Sequence, residues 1–563
     1  MNQEEIDKFK SLDADEKIKY LRKLKRRKSE NGKAEKTEEL AVLPLKGPLS
    51  KRAIKDEAKD TDVLASVAKP KLSSLEPKSN KTINKQHNYE YIGLEKSKYE
   101  SGFHPLYWVM SNPVRLLVFS FLFLIIIGAL LLSLPIASTS GEWTNYFTSL
   151  FTATSATCVT GLILVDTGTY WTFFGKTVII LLIQLGGIGI ITTVASFYAI
   201  SKRRININTL RAVQDSLGSE SVEDVYDLAK FALKFSLGSE LIGGLILGLA
   251  YTRYMPKGQA LLAGLFQGVS AFCNAGFDIL SPYFGEFASL SKINQDPIIL
   301  LVSAVLITMG GIGFIVWREI KEHFKKDKKL SFHSKLVLSG TAAILVVATV
   351  LIFILERNNT APASLGRIHG PKKALAALFQ ANTLRTAGFN SIDQANLTSP
   401  GKIFSIIVMF IGASPLSTGG GMKLTTATVV FAAIPAIINA RDKVVIGKHQ
   451  ISKSLIYKAY AVFTLFTIII VTSLGIISIS EAKNLAQNNF TVLDLLYEVV
   501  SALCTVGLTS IGTYKLTTVS HIVLILCMFM GRVGPYSLAV ISLSRGNKTK
   551  SKSVLPQGKT YIA

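Results

Sequence analysis

Four short segments of this sequence superimpose on a glycine, and they constrain the chain more than any other feature. Residues 155–164 read Ser-Ala-Thr-Cys-Val-Thr-Gly-Leu-Ile-Leu, and residues 270–279, 382–391 and 501–510 repeat both that pattern and its setting between apolar runs. Aligned, they put Gly161, Gly276, Gly388 and Gly507 in one column, preceded by Thr160, Ala275, Ala387 and Val506 and followed by Leu162, Phe277, Phe389 and Leu508. Two places before the glycine stand Val159, Asn274, Thr386 and Thr505, and three places before it Cys158, Cys273, Arg385 and Cys504. A near-constant period of about 115 residues marks internal duplication.

Glycine reaches backbone conformations closed to other residues. At the end of a short apolar helix it can turn carbonyls toward an axis, and four such loops make a ring. Rings of backbone carbonyls can replace the hydration shell of a monovalent cation, as in a K+ filter.

Of the 563 residues 49% are hydrophobic, gathered into runs long enough to cross a bilayer. The formal net charge of +24 sits mainly in the loops between those runs and at both ends, the pattern of cytoplasmic loops. No nucleic-acid motif accompanies it, so the expected surroundings are a lipid bilayer and no nucleic acid. Four cysteines, three of them in the repeated segments and Cys527 in an apolar run, are too few for a disulfide framework and read as reduced small residues. The first hundred residues are polar and contain no adequate apolar core, so no secretory signal is expected there.

Residues 1–102 are expected to be a cytosolic, basic, mostly disordered tail, in which residues 18–28 could form a short basic helix for anionic lipid or a partner. Residues 114–137 then give an apolar run able to span ~30 Å. Residues 143–156 are shorter and end at the first segment, so they read as a re-entrant pore helix, tolerable at membrane depth only when buried in protein or lining water. Residues 170–200 cross back. The triplet recurs at 225–254, 259–273 and 297–321, at 334–355, 372–384 and 401–440, and at 455–479, 491–504 and 520–543. The expected fold is an all-α polytopic membrane protein of four tandem helix, pore loop, helix repeats in pseudo-fourfold arrangement, with eight spanning helices plus four re-entrant pore helices. Residues 103–204, 205–325, 326–445 and 446–545 form the repeats, and 546–563 a cytosolic C-terminal tail. Basic clusters at 202–204, 318–329, 441–458 and 545–552 share one side with the N-terminal tail, which predicts a multi-pass plasma-membrane protein with both termini cytoplasmic. The opposite face, where the loops enter, still carries Lys372, Lys373 and Arg385.

Each second helix holds a glycine, at Gly186, Gly310, Gly412 and Gly531, and three add another at Gly189, Gly313 and Gly534. Small residues at this spacing allow close helix packing. In the third, Gly412-Ala413-Ser414-Pro415-Leu416-Ser417-Thr418-Gly419-Gly420-Gly421 cannot be a plain helix interior. It reads as a flexible gate across the conduction path beneath the filter, where water can satisfy its backbone, or else as an inert kink. Arg532 lies inside the fourth second helix, where a charge is expensive and by default faces a partner or a watery cavity. It either sets an electrostatic barrier in the cation path or makes a structural ion pair, with Glu240 a candidate partner. Glu240 and Gln184, at similar depth, carry no assigned role.

Enzyme signatures fail. Gly558-Lys559-Thr560 lacks the upstream glycine of a phosphate loop, and Gly-Gly-Gly-Met-Lys at 419–423 has methionine inside the required pair. Seven histidines are scattered without metal-ligand spacing, and no nucleophile and base come together.

The quartet Val159-Thr160-Gly161-Leu162, Asn274-Ala275-Gly276-Phe277-Asp278, Thr386-Ala387-Gly388-Phe389 and Thr505-Val506-Gly507-Leu508, with Ser-Pro-x-Ser-Thr-x-Gly-Gly and Gly-Arg-Val-Gly-Pro, resembles the Trk/Ktr/HKT superfamily of K+ transporters. The match runs from about residue 112 to 543 and is closest to the KtrB branch, the membrane subunits of bacterial Ktr systems. The resemblance implies a pore within each subunit, a homodimer, and a KtrA-like cytosolic ring of nucleotide-binding regulatory subunits. It assigns Val159, Thr160, Gly161, Asn274, Ala275, Gly276, Thr386, Ala387, Gly388, Thr505, Val506 and Gly507 to a selectivity filter holding K+ on its carbonyls. Residues 412–421 become the gate and Arg532 the constriction below the filter. No covalently bound cofactor is implied; K+ is the transported ion, and Na+ activates some members. The chain departs from the family at Leu416, where glycine is usual, and at Gly419, where some members have alanine. The expected function is gated K+ uptake driven by the membrane potential. The alternatives are a Na+-coupled or less selective monovalent cation transporter, Gly161 speaking against Na+ preference, and a non-conducting scaffold.

Overall fold

A computed structural model describes residues 113–189, 222–326, 328–441 and 443–538. The expectations for the N-terminal tail, the basic clusters at 202–204 and 545–552 and the C-terminal tail lie outside the described residues.

Four runs rich in Leu, Ile, Val and Phe form long helices: α1 (Pro113–Ser133), α4 (Val222–Tyr251), α8 (Phe332–Glu356) and α12 (Lys453–Ser480). Each includes a stretch long and apolar enough to cross a membrane, with mean hydropathy of 2.9, 1.4, 2.6 and 2.5 in turn. Their starts use what the chain supplies: Pro113 opens α1, and the hydroxyls of Ser331 and Ser452 cap α8 and α12. Large apolar side chains such as Phe123, Leu249 and Val471 point outward and stay exposed, as lipid-facing positions do.

A shorter helix follows each long one: α2 (Tyr146–Thr157), α5 (Lys257–Cys273), α9 (Pro371–Thr383) and α13 (Val492–Leu503). Their bounds fall within a few residues of the short helices expected before the four segments. Their interiors are buried, with Phe151, Phe272, Phe379 and Tyr497 showing no exposed surface. Within a bilayer close packing, more than transfer from water, holds such a centre. Thus α4 lies against α5 so tightly that a methyl on Gly268 would stand 2.8 Å from Gly244 Cα.

The second helices after the first, second and fourth segments differ from the continuous runs expected, whereas the one after the third breaks at residues 411–423, around the expected 412–421. They are α3 (Phe173–Ile188), α6 (Pro297–Ile312) with α7 (Phe314–Lys326), α10 (Ser399–Phe410) with α11 (Leu424–Ile438), and α14 (Thr518–Val533). Gly189, Gly313 and Gly534 end α3, α6 and α14 at φ of 90°, 103° and 92°, so they are helix stops, not packing positions inside a helix. At Gly313 the chain turns by 97° from α6 into α7. The remaining break is the residue 411–423 loop. Apart from that bent pair, the second helices among the described residues are individually shorter than a full span.

A small hairpin, β1 (Val444–Ile446) with β2 (His449–Ile451), follows α11. Its His449 ring lies 4.5 Å from the ring of Phe332 at the start of α8, so the basic stretches around 318–329 and 441–458 share one face.

Candidate functional site

The four segments leave their helices through one repeated set of hydrogen bonds. Ser155, Ser270 and Ser501 carbonyls accept from Thr160, Ala275 and Val506 amides, each at 2.8 Å. The same serines' hydroxyls accept from the amides of Gly161 (3.0 Å), Phe277 (3.0 Å) and Gly507 (3.1 Å). In the third segment Asn382 stands in the serine's place and donates instead to Ala304 O at 2.7 Å. Thr383 substitutes for it, its carbonyl taking Ala387 N and its hydroxyl bonding both N and O of Phe389.

Backbone handedness repeats as well. Val159, Asn274, Thr386 and Thr505 sit at φ of 57°, 60°, 67° and 51°, and the glycines two places on at 100°, 71°, 80° and 90°. Three of the first group are β-branched, for which positive φ is an outlier costing about 1–3 kcal/mol. Alternating handedness turns successive carbonyls to the same side, which neither helix nor strand does.

The segments close on one another. A methyl on Gly161 would lie 2.6 Å from Ala275 O, on Gly276 3.0 Å from Ala387 O, and on Gly388 2.5 Å from Val506 O; on Gly507 it would overlap Thr160 O. The order is first to second to third to fourth and back to the first. Helices α2, α5, α9 and α13 all end at this ring, so the negative ends of four helix dipoles converge there. The hydroxyls of Thr160, Thr386 and Thr505 are buried with no partner among the described residues.

A cavity of about 60 Å³ is lined by the four ring glycines together with Ile163, Asp278, Asn390 and Thr509, each two places beyond its glycine. Two carboxylates border it. Asp166 is fully engaged, accepting from the amides of Gly168, Thr169 and Phe287 at 2.9–3.0 Å. Asp278 accepts from Leu280 N at 3.2 Å, and burial pushes its carboxyl up to about 6.

The 411–423 loop lies against the ring's other side. Methyls on Gly419 and Gly420 would overlap the hydroxyls of Thr386 and Thr505. The loop folds back on itself through Gly412 N to Met422 O (2.9 Å) and Leu424 N to Ala413 O (3.1 Å). It docks on the broken end of α6: Ser414 N donates to Gly311 O, Thr418 N to Gly310 O and Phe314 N to Leu416 O, each at 3.1 Å, and Thr418 Oγ1 reaches Phe272 O at 3.0 Å. Leu416 holds φ of 59°, a left-handed conformation that glycine would adopt without strain.

Arg532 spans the gap between this loop and the first second helix. Its guanidinium donates to Thr418 O, to Gly186 O and, at 3.0 Å, to Gly187 O. The candidate ion pair with Glu240 does not form. Glu240 instead accepts from Ser236 Oγ and from Gln184 Nε2 (3.1 Å), on α4 and α3. A neutral cluster satisfies that carboxylate, and carbonyl oxygens satisfy the arginine.

Sequence reasoning had not singled out the serines, Thr383 or Lys423, whose Nζ donates to Gly419 O at 2.6 Å. The serines were visible as the residue that opens three of the four segments. Thr383 was not, because in its segment the anchor slips by one residue. Gly186, Gly310 and Gly531 also gain a meaning, since a methyl on each would overlap the carbonyl of Thr157, Phe272 or Leu503, four places before the ring glycine.

Comparison with known proteins places residues 107–550 in the family described as TrkH, cation transport protein. The chain is 37% identical over 458 residues to the Ktr system potassium uptake protein B of Bacillus subtilis (strain 168), covering 81% of this chain and 97% of that relative. It is 32% identical over 446 residues to the potassium/sodium uptake protein NtpJ of Enterococcus hirae, covering 79% and 96%. Its fold resembles the crystal structure of the potassium transporter TrkH from Vibrio parahaemolyticus, with a TM-score of 0.57 at 17% identity over 79% of this chain and 86% of that one.

Proposed function

This chain belongs to the TrkH family of cation transport proteins, and from that premise we propose that it takes up K+ through the ring of the four segments. It is a membrane transporter and not an enzyme. The observation that carries the reading is the cyclic closure of Gly161, Gly276, Gly388 and Gly507, each against the carbonyl before the next glycine. Carbonyls at the ends of four helix dipoles, with the free hydroxyls of Thr160, Thr386 and Thr505 beside them, suit a dehydrated monovalent cation. The filter is then Val159 to Gly161, Asn274 to Gly276, Thr386 to Gly388 and Thr505 to Gly507, within four repeats around one pore.

Beneath it, residues 412–421 act as the gate. Arg532 and Lys423 hold the carbonyls of Thr418 and Gly419, and the α6 break holds Ser414 N, Thr418 N and Leu416 O. Hydrogen bonds to charged groups contribute about 1.5–3 kcal/mol each, so the latch resists opening without making it impossible. Inward movement is driven by the membrane potential at ~2.3 kcal/mol per charge per 100 mV. Both termini and the face bearing α7 and the hairpin are cytoplasmic, by density of positive charge. On that face a KtrA-like ring would meet a homodimer of this chain. Support for such partners is that the Bacillus relative is named as one component of a system. The Enterococcus relative's name favours a second reading, in which Na+ shares the path or activates it.

The test is uptake of K+, Rb+ and Na+ into proteoliposomes holding this chain, alone and with a cytosolic regulatory subunit. Uptake of K+ and Rb+ well above Na+ is expected. Equal uptake of all three would refute the filter, and no uptake in either preparation would favour a scaffold.

A further inference from the structure

Beyond the second segment, the chain reaches the surroundings of all four segments within three residues. Phe287 N donates to Asp166 Oδ2, just past the first segment, at 2.9 Å. The Phe287 ring stacks on Tyr514, just past the fourth, with centroids 4.7 Å apart and planes 19° apart. Ser289 Oγ accepts from Asn390 N of the third at 3.3 Å, and Ser289 lines the same cavity as Asp278 of the second. Phe287 and Ser289 line the cavity over the glycine ring.

Backbone conformation sets this stretch apart from an ordinary packed loop. Phe287 and Ser289 hold φ of 57° and 47°. Residues other than glycine keep such values only where their surroundings over-determine them, and such sites gather at clamps and switches. Before them stands Gly285, at φ of 97° with open space around it, a place where the stretch can swing. The ties also differ in exposure. Asp166 is buried, whereas Phe287 and Tyr514 are 37% and 45% exposed, so their stack is the tie nearest to water.

We propose that residues 285–289 are an outer clasp of the cation pathway, tying the mouths of the four segments together over the ring, with the Phe287–Tyr514 stack as the tie that releases. The proposal rests on reading the ring as the cation filter. Phe287, Ser289 and Tyr514 are positioning residues: they act through Asp278 and Asn390, whose places in the cavity they set, and through the shielding of the cavity itself. The strain in the stretch favours its departure once the stack parts.

The experiment is labelling of an Ile163→Cys reporter, which lines the cavity, by a positively charged, membrane-impermeant methanethiosulfonate applied from the outer side. The natural cysteines Cys158, Cys273, Cys504 and Cys527 are buried and supply a slow background. Phe287→Ala and Tyr514→Ala should each speed labelling by about three- to tenfold, the range that the worth of an aromatic pair allows. Phe287→Tyr should keep the original rate, and the double alanine variant should label no faster than either single one, because both remove one shared contact. Unchanged rates in both alanine variants, or effects that multiply in the double variant, would overturn the clasp. Should one variant fail to fold, the other reports on the same contact from the opposite side. Labelling needs no transport, so a chain that shows this pattern yet does not discriminate K+ from Na+ would refute the filter and not the clasp.

Discussion

A hydroxymethyl group at Gly161 tests the ring most directly. In Gly161→Ser the new Cβ stands 2.6 Å from Ala275 O and 3.2 Å from Gly276 Cα. That oxygen contact is roughly 1 Å inside the optimum for non-bonded atoms. The residue must also hold φ of 100°, outside the left-handed well that side chains tolerate. Backbone strain of about 1–3 kcal/mol adds to overpacking of about 1–3 kcal/mol, so roughly 2–6 kcal/mol is to be relieved. The nearest relief is to move Ala275 O outward, which opens the ring on one of its four sides. Since about 1.4 kcal/mol is a tenfold change, relief of even half that strain through the ring should lower the K+ to Na+ uptake ratio by one to two orders of magnitude. Initial rates of K+, Rb+ and Na+ uptake in proteoliposomes measure the ratio. Gly475→Ala is the control: a methyl there meets nothing within 4 Å, and alanine in a helix interior gains about 0.5–1 kcal/mol over glycine. A folded Gly161→Ser protein that keeps the original ratio would refute the claim that this carbonyl ring discriminates between ions.

Three further outcomes follow from the same geometry. Arg532→Gln removes the donors to Thr418 O, Gly186 O and Gly187 O and should raise basal K+ flux at least about tenfold; a flux at or below the original would mean that the arginine does not hold the gate shut. Leu416→Val places a β-branched residue at φ of 59° and should lower thermal stability by about 1–3 kcal/mol, while Leu416→Gly should not; equal losses would assign the effect to side-chain packing. Burial has pushed the Asp278 carboxyl up to about 6, so its negative charge at the cavity is present above that pH and lost as pH falls through it. Burial penalises the charged form, so this group lowers stability as pH rises through that range while it favours cation entry. Uptake should fall between pH 7 and 5, Asp278→Asn should flatten that limb, and an identical limb in the variant would exclude the residue as its cause.

The four long helices, the four short buried ones and the ring glycines could be read from residues alone, because apolar run length and a repeated glycine are local properties. Gly161, Gly276, Gly388 and Gly507 were visible as a column, and so was the break at residues 412–421, since proline and glycine disfavour a helix wherever they occur. The partners of those residues were not visible. Arg532 in a one-dimensional string is an expensive charge in search of compensation, and Glu240 was the obvious anion. In space the carbonyls of Thr418, Gly186 and Gly187 reach it first, freed by the helix ends at Gly189 and the 411–423 loop. The stops at Gly189, Gly313 and Gly534 escaped for a related reason: glycine spacing suits both close packing and a positive φ, and only the neighbouring chain decides between them. The anchor in the third segment slipped to Thr383 because Asn382 found Ala304 O, a partner 78 residues away. What local sequence determined here is which backbone can bend and where. Which oxygen each bend presents, and to whom, was settled by elements distant in the chain, because hydrogen bonds at membrane depth go to whatever the fold brings within 3 Å.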